Sequence, residues 1–274
     1  MRPLLALLLA PWALFADGRK FSVDYPISSL PSGFVFATTY HLWIPEGVKT
    51  VRGIIVHQHG CGEGSNKAAV TAADDARVAA YSEIMADTLP PVAHDVLDAY
   101  DLSKHTCLLD VGGGEGVLLS LVGHRHARLQ LRLFDLPAVA ARAKVRLDQA
   151  GFSDRVNCHG GNFHADALPT GADVISLVRV LLDHDDESVL RLLKRVRAAL
   201  PSGGVLLIAE AMAGVRGAET VGDAYFSFYL MAMGKGRARR ASELHQMLQA
   251  AGFRRSREVS TRFPIQTGLI VAEA

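Results

Sequence analysis

The sequence predicts an α/β fold in which a doubly wound, mostly parallel sheet is covered by helices on both faces. Short apolar runs of strand length alternate with helical stretches from about residue 104 to the end of the chain. A glycine-rich turn, 112–116, directly follows the first of these runs. The stretch before residue 74 lacks this alternation, so the sequence predicts a separate, smaller β-rich segment there.

Composition limits the classes of function. The chain has 274 residues, of which 49% are hydrophobic and 21% are charged, and its formal net charge is +1. This is enough for one large domain or two small ones, and the near-neutral charge gives no reason to expect a nucleic-acid partner. Cys61, Cys107 and Cys158 are far apart, a pattern that predicts neither a disulfide framework nor a metal site and fits a reducing compartment.

The first residues resemble a secretory signal. Arg2 precedes an apolar run, 4–15, which ends at small residues, so 1–16 is interpreted as a signal-like segment. The alternative is a buried N-terminal helix. The run is shorter than the roughly 20 residues that a membrane-spanning helix needs.

Residues 17–74 are predicted to be β-rich, with strands at 34–39, 40–44 and 51–57. The last strand opens into a glycine-rich loop with histidines, so residues 19–66 weakly resemble the start of secreted α/β-hydrolases. No serine lies in the Gly-x-Ser-x-Gly frame that such an enzyme needs. The alternating positions of His57, His59 and Cys61 would place them on one face of a strand, where they could bind a metal. We favour the interpretation that they are loop residues without a metal.

A helical connector is predicted over 75–103. Alanine-rich helical periodicity begins near residue 75, where we place a boundary, and Pro90-Pro91 is expected to divide the stretch into two helices.

Residues 104–274 are predicted to form the main α/β domain. The predicted strands are 106–111, 129–134, 156–159, 172–178 and 204–209, with helices 138–150 and 186–200 and a terminal antiparallel hairpin of 257–260 and 266–272. In such a sheet a ligand binds outside the carboxyl ends of the first and fourth strands, where the strand order reverses.

The glycine turn carries the first cofactor prediction. Asp110 ends the first strand, and Gly112, Gly114 and Gly116 follow it. A dinucleotide site would need glycine at position 117, which is valine. The observed spacing instead resembles the first motif of class I methyltransferases, which bind S-adenosyl-L-methionine. Such a turn needs glycines because the backbone bends sharply and approaches the ligand closely.

Further cofactor residues follow the next strands. Asp135 lies 19 residues after Gly116, near the offset at which a carboxylate binds ribose hydroxyls. The alternative, an N-cap for helix 138–150, is physically reasonable, but we favour the ribose role. Asn162 and Phe163 are suited to clamp adenine, and Arg179 after the fourth strand completes the predicted cofactor set.

Several motifs together resemble a family. The stretches 108–114, 134–137, 161–163 and 183–187 resemble the small-molecule O-methyltransferases of the plant caffeate and bacterial hydroxyneurosporene type. The tract 222–234 and the tail 266–269 resemble the bacterial demethylspheroidene O-methyltransferases, and the resemblance runs from about residue 77 to 273. It implies methylation of a hydroxyl on a hydrophobic carotenoid, in the cytoplasm or at the membrane surface. The signal-like segment conflicts with that localisation.

The resemblance also exposes a departure at the expected catalytic base. The family uses a histidine as the base. When the chain is aligned with the family's motif, Leu182 stands at the position of that histidine, and His184 stands at the position of the motif's tryptophan. Either His184 accepts the proton or no imidazole does. Glu210 and Glu243 match two carboxylates that assist the histidine, although Glu243 also fits a plain helix-start acid.

The acceptor is expected to be small, hydrophobic and hydroxylated, and to lie against a helix at 223–233. That helix carries Phe226, Tyr229, Met231 and Met233, which suit a polyene groove, although such a stripe also fits an ordinary core. Members of the family dimerise through a longer N-terminal helical region, but residues 1–74 look unrelated to it, so the resemblance implies a homodimer only if the N-terminal region allows it. The arginines at 237, 239 and 240 are read as a lipid contact or a solvated charge run.

Two alternatives remain open for the whole chain. One is a methyltransferase-like fusion protein that binds the cofactor but is catalytically impaired, because Leu182 replaces the base. The other is a secreted hydrolase-like protein, suggested by residues 1–66 alone.

Overall fold

A computed structural model describes residues 18–25, 38–45, 85–215 and 236–274, and the chain divides into two compact units, 1–57 and 58–274. In the first unit, β1 (Gly18–Tyr25) pairs antiparallel with β2 (Thr38–Pro45). The predicted strand 40–44 lies within β2, whereas β1 was not predicted as a separate strand. The predicted strand 51–57 and the predicted boundary near residue 74 lie outside the described residues.

The connector is broken at the prolines, as predicted. Residues 85–88 are helical, Leu89 interrupts the helix, and α1 spans Pro90–Ala99. A proline in the first turn is tolerated because its missing N–H has no partner inside the helix. Val92 and Val96 are among the buried residues of α1, so the helix packs one apolar stripe inward.

The second unit is built on a seven-stranded sheet of order β5-β4-β3-β6-β7-β9-β8. Its strands are β3 (Cys107–Val111), β4 (Gln130–Asp135), β5 (Val156–Gly160), β6 (Val174–Val178), β7 (Val205–Glu210), β8 (Arg255–Val259) and β9 (Gly268–Glu273). The first five pair in parallel, while β9 pairs antiparallel with both β7 and β8. This confirms the predicted fold class, including the antiparallel terminal hairpin.

Helices cover both faces of this sheet. They are α2 (Val117–Arg125), α3 (Pro137–Gln149), α4 (Asp186–Ala199) and α5 (Ala241–Ala250). One buried cluster joins Leu109 and Ile175 to α4 and α5, and the other joins Leu108 and Val174 to α1, α2 and α3. The central strands β3 and β6 are buried throughout, because side chains on both faces of a central parallel strand meet helices.

Predicted and observed strand limits differ most at the hairpin. Gln266 and Thr267 donate backbone N–H groups to the carbonyl of Phe263, so they form a turn and β9 begins only at Gly268. The helix predicted at 223–233 lies outside the described residues. Within the described part of the chain, no helix is both long enough and apolar enough to cross a bilayer.

Candidate functional site

The parallel strands bring their carboxyl ends to one edge of the sheet, called here the carboxyl edge. Strand order reverses between β3 and β6, which are neighbours. The loops after β3, β4, β5, β6 and β7 therefore meet where α/β proteins of this topology bind their ligands. Each predicted cofactor residue among them follows or ends one of these strands.

The glycine turn after β3 has the backbone that its sequence predicts. Gly112, Gly114 and Gly116 have φ values of +72°, +54° and +76°. A Cβ at Gly112 would lie 2.7 Å from Val180 Cγ2, and one at Gly116 would lie 2.8 Å from Leu147 Cδ1, whereas one at Gly114 would meet no atom within 4 Å. Two of the glycines permit close packing, and Gly114 faces open space.

Asp135, at the end of β4, is bonded directly to this turn. Its Oδ2 accepts the N–H of Gly114 at 2.8 Å, and its Oδ1 accepts the N–H of Leu136 at 2.7 Å. The N-cap of α3 is Leu136, so Asp135 does not cap the helix, which was the alternative. Burial raises the pKa of the Asp135 carboxyl. Asp135 thus contacts the backbone of Gly114, and its ribose role stays a prediction.

Asp110 lies beneath the turn rather than at its surface. It is 2% exposed, its Oδ1 accepts the hydroxyl of Ser176 at 2.6 Å, and a Cβ at Gly113 would lie 2.8 Å from its Oδ2. Burial raises the pKa of Asp110 to about 7, with a smaller contribution from the charge of Asp135. The structure therefore gives Asp110 a supporting position under the cofactor turn.

Asn162 and Phe163 form the loop after β5. Asn162 Oδ1 accepts the N–H of His164 at 2.9 Å, which closes a local turn. The Phe163 ring lies edge-on to His184 at a centroid distance of 5.3 Å, and His164 contacts both rings. An aromatic cluster thus joins the ends of β5 and β6, and Phe163 lies where the sequence places the adenine clamp.

Arg179 has an unusual backbone at the end of β6. Its φ is 57°, and among the described residues no other non-glycine residue has a positive φ. Its guanidinium donates to Thr88 Oγ1 at 2.9 Å and to Met85 Sδ at 3.0 Å. Such strained positions cluster at functional sites, and this one ties the carboxyl edge to the connector.

Glu210 lies under the turn that follows β6. This turn is a 3₁₀ helix, Leu181–Asp183, and Glu210 Oε1 accepts the N–H groups of Val180 at 2.7 Å and Leu181 at 2.6 Å. Glu210 is 3% exposed. Burial, with a smaller contribution from the negative charge of Asp183, raises its pKa to about 7. Glu210 thus binds the backbone of the turn that contains Leu182, and its role beside a catalytic base stays a prediction.

Asp183 was not among the predicted site residues. Its Oδ1 is buried and has no hydrogen-bond partner, and the same holds for Glu210 Oε2. Burial raises the pKa of Asp183 to about 6, while the charge of Arg179 lowers it. The acidic motif 183–187 is visible in the sequence, but no sequence pattern shows which of its acids is left unpaired.

His184 occupies a mostly buried aromatic environment. Burial lowers the pKa of its imidazole to about 4, with a further contribution from His164. The ring is therefore neutral at neutral pH, with a lone pair of low basicity. Its ring contacts in the described structure are with Phe163 and His164.

The prediction that the arginines at 237, 239 and 240 contact lipid or are solvated is wrong for Arg239. It is 3% exposed and donates to the carbonyls of Leu181 at 2.8 Å and His184 at 2.6 Å, and to Asp186 Oδ1 at 2.9 Å. Arg237 pairs with Asp186 at 2.9 Å. Arg239 is therefore neither solvated nor available to lipid, because it holds the turn after β6 in place.

Glu243 takes the helix-start role that the sequence left open. Its Oε2 accepts the N–H of Arg240 at 2.8 Å, and its Oε1 pairs with Arg237 at 2.8 Å. These interactions lower the pKa of Glu243. With both oxygens engaged at the start of α5, Glu243 has the geometry of a capping acid rather than of a partner for a catalytic base.

Some predicted residues cannot be placed. Phe226, Tyr229, Met231 and Met233, and also His57, His59 and Cys61, lie outside the described residues. Among the residues that the structure describes, no three His, Cys, Asp or Glu side chains form a group that could hold a metal ion.

Comparison with known proteins identifies the family. A family model for the O-methyltransferase domain matches residues 42–254, so the match begins inside the predicted β-rich segment 17–74. The chain is 48% identical over 182 residues to a demethylspheroidene O-methyltransferase of Cereibacter sphaeroides, covering 66% of this chain and 48% of that protein. A protein of the same name from Rhodobacter capsulatus is 46% identical over 193 residues, covering 70% and 48%.

Solved structures agree with the sequence relatives. The chain superimposes with a TM-score of 0.65 and 25% identity on human N-acetylserotonin methyltransferase in complex with SAM, covering 73% of this chain and 56% of that one. The chain spans about half the length of the curated relatives it matches. Fold, motif geometry and family match together show that this chain belongs to the O-methyltransferase domain family.

Proposed function

We propose that this protein is an S-adenosyl-L-methionine (SAM)-dependent O-methyltransferase that methylates a hydroxyl group of a carotenoid. The observation that carries the proposal is the pairing of the glycine turn with Asp135. Gly114 has a positive φ and open space on its Cβ side, and Asp135 lies beside it with a carboxylate. The family match and a relative solved with SAM support this use of the turn.

The residues at the carboxyl edge fit the parts of SAM. The open side of Gly114 leaves room for the aminoacyl half, and each oxygen of Asp135 has lone pairs beyond its one backbone bond for the ribose hydroxyls. Phe163 offers an aromatic surface for adenine. The guanidinium of Arg179 lies at the same edge and suits the cofactor's carboxylate.

The protein's contribution to the chemistry is alignment and proton removal. When bound, SAM supplies a methyl group that is already electrophilic. The carboxyl edge holds the acceptor hydroxyl in line with that group, and alignment of this kind can be worth effective molarities of about 10⁵ M or more. A nearby base removes the hydroxyl proton.

The carotenoid acceptor is proposed from the relatives. Two proteins named demethylspheroidene O-methyltransferase are 48% and 46% identical to this chain over their matched regions. The predicted acceptor tract lies outside the described residues, so these relatives, and not the site geometry, support the acceptor class. We propose a cytoplasmic location, where SAM is made, and a homodimer as in the family.

A loop at the carboxyl edge supports a membrane contact in place of the arginines. Phe263 is 62% exposed and Ile265 is 43% exposed. Both lie between β8 and β9, and Gly268, the first residue of β9, pairs with Glu210, so the loop lies at the carboxyl edge. Asp95 Oδ2 accepts the N–H of Phe263 at 3.0 Å, which helps to hold the loop in place. A fixed, exposed apolar tip of this kind suits insertion into a bilayer that contains the acceptor.

The membrane proposal is tested with vesicles. Phe263→Ser combined with Ile265→Ser should weaken co-sedimentation with phosphatidylcholine–phosphatidylglycerol vesicles about tenfold, because the apolar area available for insertion is lost. Val145→Ser is the matched control, since Val145 is 57% exposed on α3. Equal losses of vesicle binding in the double variant and in Val145→Ser would argue against the loop as the membrane contact.

The proposed activity is tested by methyl transfer. SAM labelled in its methyl group, detergent-solubilised hydroxylated carotenoid and folded protein should give a labelled methyl ether. Absence of product from protein that still binds S-adenosylhomocysteine (SAH) would contradict the proposal and favour a second candidate, a cofactor-binding protein with impaired catalysis.

The second candidate is motivated by Leu182, which cannot accept a proton. If impairment is the explanation, Leu182→His should raise the methyl-transfer rate strongly. An unchanged rate would remove that explanation.

A further inference from the structure

The turn after β6 places two buried carboxyl groups where the family's histidine is missing. Asp183 Oδ1 and Glu210 Oε2 are both buried without a hydrogen-bond partner, and in the described part of the chain only His159 Nε2 shares this state. A buried polar atom without a partner costs free energy. Such atoms are rare in native proteins, where a bound water, an ion or a functional role accounts for them.

The neighbouring acids are engaged elsewhere. Asp185 caps α4 by accepting the N–H of Ser188 at 2.8 Å. Asp186 binds Arg239 and Arg237, and Glu187 pairs with Arg191. Of the four acids in 183–187, Asp183 alone has a buried oxygen that lacks a partner.

We propose, on the basis of the proposed methyl transfer, that the general base in this chain is the Asp183 carboxylate, with Glu210 as its proton-holding neighbour, in place of an imidazole. Bound SAM supplies the methyl carbon: as the acceptor oxygen forms its C–O bond, the C–S bond breaks and its electron pair stays on sulfur. The hydroxyl proton passes to the Asp183 carboxylate, whose side chain is only partly buried although its Oδ1 is shielded from solvent. Solvent later takes that proton and restores the carboxylate.

The charges around Asp183 set its protonation. Arg179, at the end of β6, favours the carboxylate, while Glu210, at the end of β7, is coupled to it with like charge. From the loop before α5, Arg239 holds the carbonyls of Leu181 and His184 on either side of Asp183. Burial raises the pKa of Asp183 to about 6 and that of Glu210 to about 7. The two groups therefore titrate as a coupled pair, which shares about one proton between about pH 6 and 7.

Activity and pH dependence test the proposal. In the wild type, kcat should rise as pH increases through about 6, the pKa of Asp183. Asp183→Asn should lower kcat by roughly 10² to 10⁴-fold, the usual contribution of a general base, and change the Kd for SAH less than about threefold. Asp148→Asn, at a partly buried surface acid paired with Lys144 on α3, is the matched control and should keep the wild-type rate.

Two further variants separate a base from a structural role. Asp183→Ala should regain activity when formate is added, because the small carboxylate can replace the missing side chain. His184→Phe should keep the rise of kcat near pH 6 if Asp183 is the base. An Asp183→Asn enzyme with an unchanged rate, or loss of that rise in His184→Phe alone, would overturn the proposal.

A spectroscopic measurement makes the test independent of the acceptor. An infrared titration should show protonated carboxyl groups near neutral pH in the wild type, and Glu210→Gln should remove the band of Glu210 while that of Asp110, whose pKa is also about 7, remains. If the wild type gave no methylated product, the proposed function would fail. The carboxyl pair would then be judged by this band alone, and ionisation of both groups at their ordinary pKa values would overturn it.

Discussion

The glycine turn after β3 and the 3₁₀ turn after β6 lie on neighbouring strands, but their conformations arise differently. The glycine turn is determined locally, because three positive φ values require glycines and Asp135 bonds to it from the adjacent strand. The 3₁₀ turn is held by Glu210 and Arg239, which follow Leu181 by 29 and 58 positions. A turn with local causes leaves a readable motif, whereas one held by distant partners does not.

The largest expected effect is at the glycine turn. Gly114→Val should abolish saturable SAH binding, because its side chain fills the space left for the cofactor. Gly203→Val is a matched control, since Gly203 also has a positive φ, +77°, and open space at Cβ. Both should lose about 1–2 kcal/mol of stability from left-handed backbone strain, measured by chemical unfolding, while calorimetry should show loss of SAH binding only in Gly114→Val.

The next largest effect should be at Arg239. Arg239→Met leaves the carbonyls of Leu181 and His184 without their donor and should lower the free energy of unfolding by about 3 kcal/mol. Arg237→Met, at an exposed ion pair, should cost less than about 1 kcal/mol. Equal costs in urea unfolding would show that the turn after β6 does not depend on the buried guanidinium.

A smaller effect is expected at Asp135. Asp135→Ala removes the proposed ribose contacts and should weaken SAH binding on the order of 100-fold, since a hydrogen bond to a charged group contributes about 1.5–3 kcal/mol. Asp148→Ala, which removes a partly buried surface acid paired with Lys144, should bind SAH normally. An unchanged Kd for SAH in Asp135→Ala would contradict the proposed ribose contacts of Asp135.

The smallest effect concerns stability and pH. The folded-state pKa of Glu210 is raised from 4.5 to about 7, so the folded protein binds its proton more tightly than the unfolded chain does. This stabilisation is complete below about pH 4.5 and is lost as pH rises through about 7. Asp110 and Asp183 act in the same direction.

Glu210→Gln should therefore reduce the loss of unfolding free energy between about pH 5 and 8 by on the order of 2 kcal/mol. Glu187→Gln is the control, because Glu187 is 83% exposed and paired with Arg191. If the unfolding free energy fell equally with pH in the wild type and in Glu210→Gln, the assignment of a buried, protonated glutamate would be contradicted.

The fold was largely predictable because each central strand is a short apolar run with a turn after it. Strand limits shifted where side chains bind the backbone. For example, β6 begins at Val174, and the Asp173 carboxylate just before it accepts the N–H groups of Thr106 and Cys107 at the start of β3. The conformation of the glycine turn was predictable for the same local reason.

The acceptor half of the site was less predictable. Glu243 matched a family column, yet its oxygens bond to Arg240 and Arg237 at a helix start. Arg239 was read as part of a surface run because its partners lie more than fifty positions away. Asp183 was missed because an unpaired buried oxygen is a property of packing, which a single sequence does not encode.

Calorimetric titration of the wild-type protein with SAH tests the central claim most directly, because it addresses the glycine turn and Asp135 without requiring the acceptor. The account predicts saturable binding of one SAH per chain, abolished by Gly114→Val and retained by Gly203→Val. Folded wild-type protein that shows no saturable binding, or a Gly114→Val variant that binds as tightly as the wild type, would contradict it.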